Sequence, residues 1–459
     1  MAGNVVLIST YELGRQPFGL ASPAAWLKAA GANVSLQDLA VGVLDSNQVQ
    51  NADMIGFYLP MHTATRLAEE VLARIKRINE DAHICFFGLY APMNEGHLRA
   101  LGADTVIGGE FEEGLVDVYR LVVNENPRPT TEAVPAISLS RQNFRVPDRT
   151  GLPELDQYAR LQLTPEVSRI VGYTEASRGC KHLCRHCPVV PVYNGRFFIV
   201  QPKVVLEDVR RQVDAGAEHI TFGDPDFFNG PAHSIRIVRR MHREFPELSY
   251  DVTIKIKHLR NQSNLLPTLK ETGCVLVTSA VESFDSRILD KFDKRHTLED
   301  FGVVVRVLRH AGIALNPTFV TFTPWTTVDG YIDFLRNLAV FNLVEHISPV
   351  QYAIRLLVPA GSKLLELAEV TDLVSDFDDH QLVYPWQHPD PTVDLLHQQV
   401  HGIVEQRQTS ERSRLDTFND VWYAAQAAKY GDMVSFEEPP LDDVRQVADI
   451  PYLTEPWYC

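Results

Sequence analysis

Ser177-Arg178-Gly179-Cys180-Lys181-His182-Leu183-Cys184-Arg185-His186-Cys187-Pro188 is the stretch around which the chain is arranged. Three cysteines in CxxxCxxC spacing share one short loop. Thiolates are soft ligands, and three on one loop can each take a different iron of a cubic 4Fe–4S cluster. The fourth iron then stays open to a small molecule. The competing reading is a structural zinc site, which normally closes with four ligands in paired knuckles. Here His182 or His186 would have to close it, because there is no second CxxC pair.

Outward from the loop, short apolar runs alternate with helical patterns. Ile170–Thr174 reads as the strand that delivers the cysteines. A helix from about Lys203 to Ala215 follows, then strand His219–Phe222, which ends in Gly223-Asp224-Pro225-Asp226. Further helices are expected near Ala232–Glu244, Leu265–Thr272, Asp285–Phe292, Thr297–His310 and Thr327–Leu338. Tyr250–Lys257 alternates strictly, with Asp251, Thr253, Lys255 and Lys257 on one face. A parallel strand buried on both sides should be apolar throughout. A polar face therefore predicts a strand lining the wet lumen of an open barrel. Thr278 with Glu282, and Gln351 with Arg355, are expected to share lumen faces of later strands.

The segment from Asn4 to about Val123 reads as a doubly wound α/β domain. Its strands are Val5–Ile8, Asn33–Leu36, Met54–Tyr58, Ile84–Phe87 and Thr105–Ile107, with an amphipathic helix over Thr63–Ile78. Gly88-Leu89-Tyr90 and Gly108-Gly109-Glu110 follow strand ends, where open α/β sheets bind ligands. Prolines 127, 129, 135, 147 and 153 mark a linker. The expected divisions are 1–125, a linker over 126–165, a barrel over 166–370, and a helical C-terminal extension over 371–459. The extension, with helices over Asp394–Gln406 and Leu415–Lys429, is expected to cap the open barrel.

The cysteine spacing and the Arg-Gly lead-in resemble the signature of radical S-adenosylmethionine (SAM) enzymes. The resemblance implies a partial (β/α)6 barrel, a 4Fe–4S cluster on Cys180, Cys184 and Cys187, and SAM on the open iron. It implies reductive cleavage of SAM to a 5′-deoxyadenosyl radical, and an external electron donor such as flavodoxin or ferredoxin. Gly223, Asp224 and Asp226 stand where the family has its Gly-Gly-Glu-like motif for the SAM ammonium. Glu282-Ser283, followed by Leu289 and Lys294, resembles the family's Glu-Ser segment near SAM. Lys255 or Arg355 would pair with the SAM carboxylate, because an anion in a lumen needs a cation. His186 stands where an aromatic residue usually packs near the adenine, and Phe322-Thr323-Pro324-Trp325 replaces the usual adenine strand.

The N-terminal pieces resemble the cobalamin-binding domain that precedes the SAM domain in one large subgroup. Cobalamin-dependent methyl transfer to an unactivated carbon is the outcome this implies. The cobalt-ligating DxHxxG is absent, and His62 reads as a surface-loop residue. The alternatives are cobalamin-independent radical chemistry, as rearrangement, oxidation or transfer of another part of SAM, and a non-catalytic iron–sulfur or zinc scaffold. The layout also resembles a subfamily with a C-terminal tail of Cys followed by selenocysteine or cysteine, then Ala-Glu-Pro. This implies that Cys459 opens that motif, ahead of a UGA read as stop, and that its thiol enters the active site.

Composition narrows the partners. The net charge of −16 argues against a nucleic-acid backbone and an anionic membrane surface. The start lacks a signal-peptide layout and no apolar run would span a bilayer, so the expected location is the cytoplasm. Cys85 and Cys274 sit in apolar runs and read as core residues. A small organic molecule is the expected substrate.

Overall fold

The computed structural model describes residues 2–124, 136–408, 413–431, 437–441 and 450–455. Its first sheet is wholly parallel. It contains β1 (Asn4–Ser9), β2 (Asn33–Asp38), β3 (Met54–Tyr58), β4 (His83–Phe87), β5 (Thr105–Gly109) and β6 (Ile137–Ser138). The order is β2-β1-β3-β4-β5-β6, which reverses between β1 and β3. Strands β3, β4 and β5 are buried along their whole length, as a sheet covered on both faces requires. Helices Phe18–Ala29 and Glu112–Asn124 pack Leu20, Leu27 and Leu115 on one face. Helix His62–Ile78 packs Ala68, Leu72 and Ile75 on the other.

The second sheet builds the barrel. Its hairpin β7 (Arg160–Thr164) and β8 (Val167–Thr174) precedes a small two-stranded ribbon of β9 (Ser177–Gly179) and β10 (Phe197–Ile199). Then come β11 (His219–Phe222), β12 (Ser249–Thr253), β13 (Cys274–Glu282), β14 (Ala314–Phe319) and β15 (Tyr452–Leu453). The order is β14-β13-β12-β11-β8-β7-β15, with β8 and β11 to β14 parallel and β7 and β15 antiparallel. Its two edge strands, β14 and β15, line one cavity. The sheet therefore curls until its edges almost meet, and the barrel is nearly closed.

Several sequence expectations change. The linker carries structure, since β6 extends the first sheet and β7 pairs with β8. Strand β12 stops at Thr253, and Lys255 and Lys257 belong to the entry and body of helix Ile256–Asn261. Pro349–Tyr352 is a short 3-10 turn, and only a single bridge joins Phe322 to Arg355 where a sixth strand was expected. Helices Pro391–Gln408 and Arg414–Tyr430 pack on the barrel's core, while Leu373, Val374, Tyr384 and Trp386 of the same extension pack with Ile288 and Phe292 beside the cysteine loop. Phe418, Val421 and Trp422 share the barrel's core with Tyr331, Leu338 and Tyr352, which extends the outer helical layer. The element that closes the barrel's side is β15, a two-residue strand with no periodicity to reveal it. His62 opens a helix, where a loop was expected, and is half-buried with Nε2 2.6 Å from the carbonyl of Gln381. Cys85 and Cys274 are fully buried core residues.

Candidate active site

The cysteine loop leaves the barrel at the end of β9 through Gly179, whose φ is +72°. A Cβ there would lie 2.5 Å from the carbonyl oxygen of Arg196 and 2.5 Å from the ring of Tyr193, so only glycine fits. Asp224 fixes the start of the loop by accepting from Ala176 N–H at 2.8 Å and Ser177 Oγ–H at 2.5 Å. Asn229 Oδ1 accepts from Lys181 N–H at 3.3 Å and stands 3.9 Å from Cys180 Sγ. Farther along, Arg185 N–H donates to the carbonyl of Phe292 at 3.0 Å.

Arg178 anchors the loop to the first sheet. Its guanidinium is buried, with its terminal nitrogens 2.9 and 2.6 Å from the Glu112 oxygens and Nε 2.7 Å from Glu175. Tyr193, just after the loop, donates its hydroxyl to Glu110 at 3.1 Å. Burial pushes the Glu110 carboxyl up to about 7, although Arg178 opposes the shift. The strand-end acids of Gly108-Gly109-Glu110-Phe111-Glu112 thus serve the cysteine loop. Two acids directly after a buried strand were the sequence signal for this.

Two buried ammonium groups face the cysteines. Lys255 Nζ donates to Cys184 Sγ at 3.2 Å. Lys294 Nζ donates to Glu282 Oε1 at 3.1 Å, and its pKa is raised. Burial works against the Lys294 charge, but Glu282, Cys184 and Cys187 outweigh it. Glu282 has φ +70°, a left-handed conformation rare for a side-chain-bearing residue. It also takes His186 Nε2 at 3.0 Å. Burial alone would raise the Glu282 pKa, but Lys294 and His186 hold it below the ordinary carboxylate range. Burial pushes the Cys187 thiol up to about 12 and raises Cys180 as well. Thiolates here accordingly need a metal or these cations to exist.

The predicted site residues divide into two groups. Cys180, Cys184, Cys187, Lys255, Glu282 and His186 come together, and the His186 ring also lies 4.4 Å from the Phe292 ring. Asp226 is beside them but engaged, with His258 Nδ1 at 2.7 Å and Phe228 N–H at 3.2 Å. Gly223 is covered by Tyr173, whose hydroxyl would lie 1.8 Å from an added Cβ. Ser283 Oγ accepts from Asp285 N–H at 3.1 Å and so caps a turn. Arg355 belongs elsewhere, 2.7 Å from Asp394 and 3.7 Å over the Trp386 ring. It pins the C-terminal extension, whereas a role toward SAM was expected for it. Cys459 lies outside the described residues.

Sequence reasoning missed His258 and His296. His296 is 6% exposed and neither ring nitrogen has a hydrogen-bond partner among the described residues. Burial, with Lys294 and Lys255 nearby, lowers its pKa to about 4. Cys180, His182 and Asp226 also bring one ligand atom each within 4.8 Å of one another. That is the set a mononuclear metal would use, and the same Asp226 oxygen also stands 2.7 Å from His258 Nδ1.

The donor chemistry fits a cluster. Three thiols on one loop, with Lys255 and Lys294 to offset negative charge, suit an anionic iron–sulfur group better than a zinc ion.

The cysteine loop lies in a segment that resembles known proteins. Residues 174–335 match the family model described as Radical SAM superfamily. A tRNA-2-methylthio-N(6)-dimethylallyladenosine synthase of Desulfosudis oleivorans is 24% identical over 233 residues, 49% of each chain. The anaerobic magnesium-protoporphyrin IX monomethyl ester cyclase of Rubrivivax gelatinosus is 21% identical over 406 residues, 82% of this chain and 70% of that one. The chain thus spans about half the length of the first of these relatives. Among solved structures, the cobalamin-dependent SAM radical enzyme OxsB superposes with a TM-score of 0.69 at 14% identity, over 94% of this chain and 72% of that one. The radical SAM methyltransferase TsrM of Kitasatospora setae superposes with a TM-score of 0.59 at 17% identity, over 74% and 73%. At these identities the likeness is one of fold. Residues 174–335 thus resemble the radical SAM superfamily, and they follow the parallel sheet of β1 to β6.

Proposed function

We propose that this chain is a radical SAM enzyme acting on a small organic molecule. The observation that carries the reading is the pair of buried ammonium groups, Lys255 and Lys294, beside three cysteines on one loop. Cys180, Cys184 and Cys187 would hold the 4Fe–4S cluster. With SAM bound, a reduced cluster there would supply reductive cleavage of SAM to a carbon radical. Asp224 and Asn229 keep the loop in shape. Lys255 offsets negative charge at Cys184. Glu282, held ionised by Lys294 and His186, offers a carboxylate to the SAM ammonium or ribose. His296 offers a donor and an acceptor to the same space. A nearly closed barrel limits access of bulk water, which protects radicals.

The electron would come from an external carrier. The net charge of −16 disfavours a nucleic-acid partner. No helix among the described residues is long and apolar enough to cross a membrane, and the cytoplasm remains the expected location.

Cobalamin-dependent methyl transfer is the leading outcome, favoured by where the first sheet points. Its β5 end contacts the cysteine loop through Glu112 with Arg178 and Glu110 with Tyr193, so a ligand at the strand ends would face the cluster. TsrM and OxsB, similar in fold, are described with cobalamin bound. A cobalamin here would take no lower ligand from His62, which is bound to Gln381. The test is anaerobic reconstitution with iron, sulfide and hydroxocobalamin. Retention of cobalamin through gel filtration supports methyl transfer. Loss of it, with SAM still cleaved, supports the cobalamin-independent alternative.

A further inference from the structure

We infer that the gap between the two edges of the barrel sheet binds a small organic oxyanion, a carboxylate or phosphate, with Arg414 as its cation. The inference rests on reading the lumen as the substrate chamber and names the substrate's chemical class. The gap is a cavity of about 350 Å³. Asn316 and Thr318 of β14 form one wall, Tyr452 of β15 another, and Gln351 and Arg414 complete it. Thr318 is paired with Ala280 and the next residue, Phe319, with Glu282, so the cavity begins about one strand position below that carboxylate.

The unspent groups here are donors. Arg414 gives one bond, to the carbonyl of Glu345 at 2.6 Å, and lies 4.8 Å over the Tyr452 ring. No carboxylate among the described residues pairs with it. Gln351 is 3% exposed and uses its amide oxygen to accept from Phe319 N–H at 2.7 Å, which leaves its NH2 free. The Thr318 hydroxyl also has no partner in the cavity. Glu455 lines the same space, but its carboxylate is taken by Arg15 at 2.5 Å. A half-buried guanidinium with no carboxylate partner among the described residues, beside an amide and a hydroxyl that can donate, is matched by an oxyanion. Burial pushes the Arg414 pKa down, which a bound anion would reverse. The simpler role for Arg414 is to pin its helix to Glu345, and the experiment separates the two.

Full-length, anaerobically reconstituted protein is dialysed to equilibrium against glutarate, inorganic phosphate or neutral glutaramide. Saturable binding of glutarate or of phosphate is expected, with none of glutaramide, and the arm that binds identifies the source. Arg414→Gln should weaken that binding roughly tenfold or more, while Arg236→Gln, exposed on helix Pro231–Glu244 and outside this cavity, should not. Thr318→Glu, which puts a carboxylate in the cavity without touching the Glu345 bond, should cause the same loss and carries the test if Arg414→Gln fails to fold. Binding unchanged in both cavity variants, or no saturable binding of either oxyanion, overturns the inference. Iron content and 5′-deoxyadenosine yield are measured on the same samples. Oxyanion binding without SAM cleavage in the wild type would count against the proposed function alone.

Discussion

Arg178 places both terminal nitrogens on the carboxylate of Glu112, at 2.9 and 2.6 Å, and so binds the cysteine loop to a strand end 66 residues earlier. The pair is desolvated on both sides. Removing one partner would strand Glu112 and Glu175 as buried, uncompensated charges. Arg178→Met should cost roughly 3–5 kcal/mol by chemical denaturation and lower iron incorporation. Adding Glu112→Gln should restore part of that loss. A single variant within about 1 kcal/mol of wild type would show that the pair does not hold the domains together.

Gly179 should tolerate no side chain. Its positive φ and the 2.5 Å approach of the Arg196 carbonyl both oppose a Cβ. Gly179→Ala should destabilise by about 1–3 kcal/mol and reduce the iron bound per chain after reconstitution. Normal iron content in a well-folded Gly179→Ala protein would mean the turn is not what shapes the loop.

Arg355 should matter for stability and not for SAM. Arg355→Ala loses the Asp394 pair and the contact with Trp386, about 1–2 kcal/mol together. Thermal melting should shift down while the yield of 5′-deoxyadenosine per cluster stays the same. An unshifted melt with SAM cleavage lost would return Arg355 to the SAM site.

Asp38 gives the fold a pH dependence. It ends β2, is 5% exposed, and accepts from Tyr158 O–H at 2.9 Å and Ala40 N–H at 3.1 Å. Burial pushes its pKa up to about 6, with Glu12 close by. A raised carboxyl pKa means the folded state binds its proton first, so this group's contribution falls as pH rises from about 4 to about 6. Asp38→Asn should therefore be more stable than wild type at pH 7.5, by on the order of 2–3 kcal/mol. The advantage should shrink as pH drops through 6 toward 4. Denaturation midpoints across that range test this, and a difference that does not vary with pH would rule it out.

The strand–helix alternation of the first sheet and the β/α series of the second were legible because their apolar runs and helical periods are locally punctuated. The cysteine loop was legible because metal chemistry depends on spacing within one segment. What stayed hidden depends on distant parts of the chain. Arg178 finds its acids 66 residues away, and β15 joins a strand nearly 300 residues earlier. Lys255 was expected in the lumen and is at the site, but as a helix cap, because the alternating pattern of Tyr250–Lys257 outruns the strand that forms. Arg355 had the right charge for SAM, but its nearest carboxylate belongs to an extension whose path the sequence does not show.

The central claim is that Cys180, Cys184 and Cys187 hold a cluster that reductively cleaves SAM. The most direct measurement is 5′-deoxyadenosine formed by anaerobically reconstituted, reduced protein with SAM, against the same preparation of Cys184→Ala. The account predicts 5′-deoxyadenosine from wild type and none from the variant. An intact 4Fe–4S cluster in the wild type that neither binds nor cleaves SAM would contradict it.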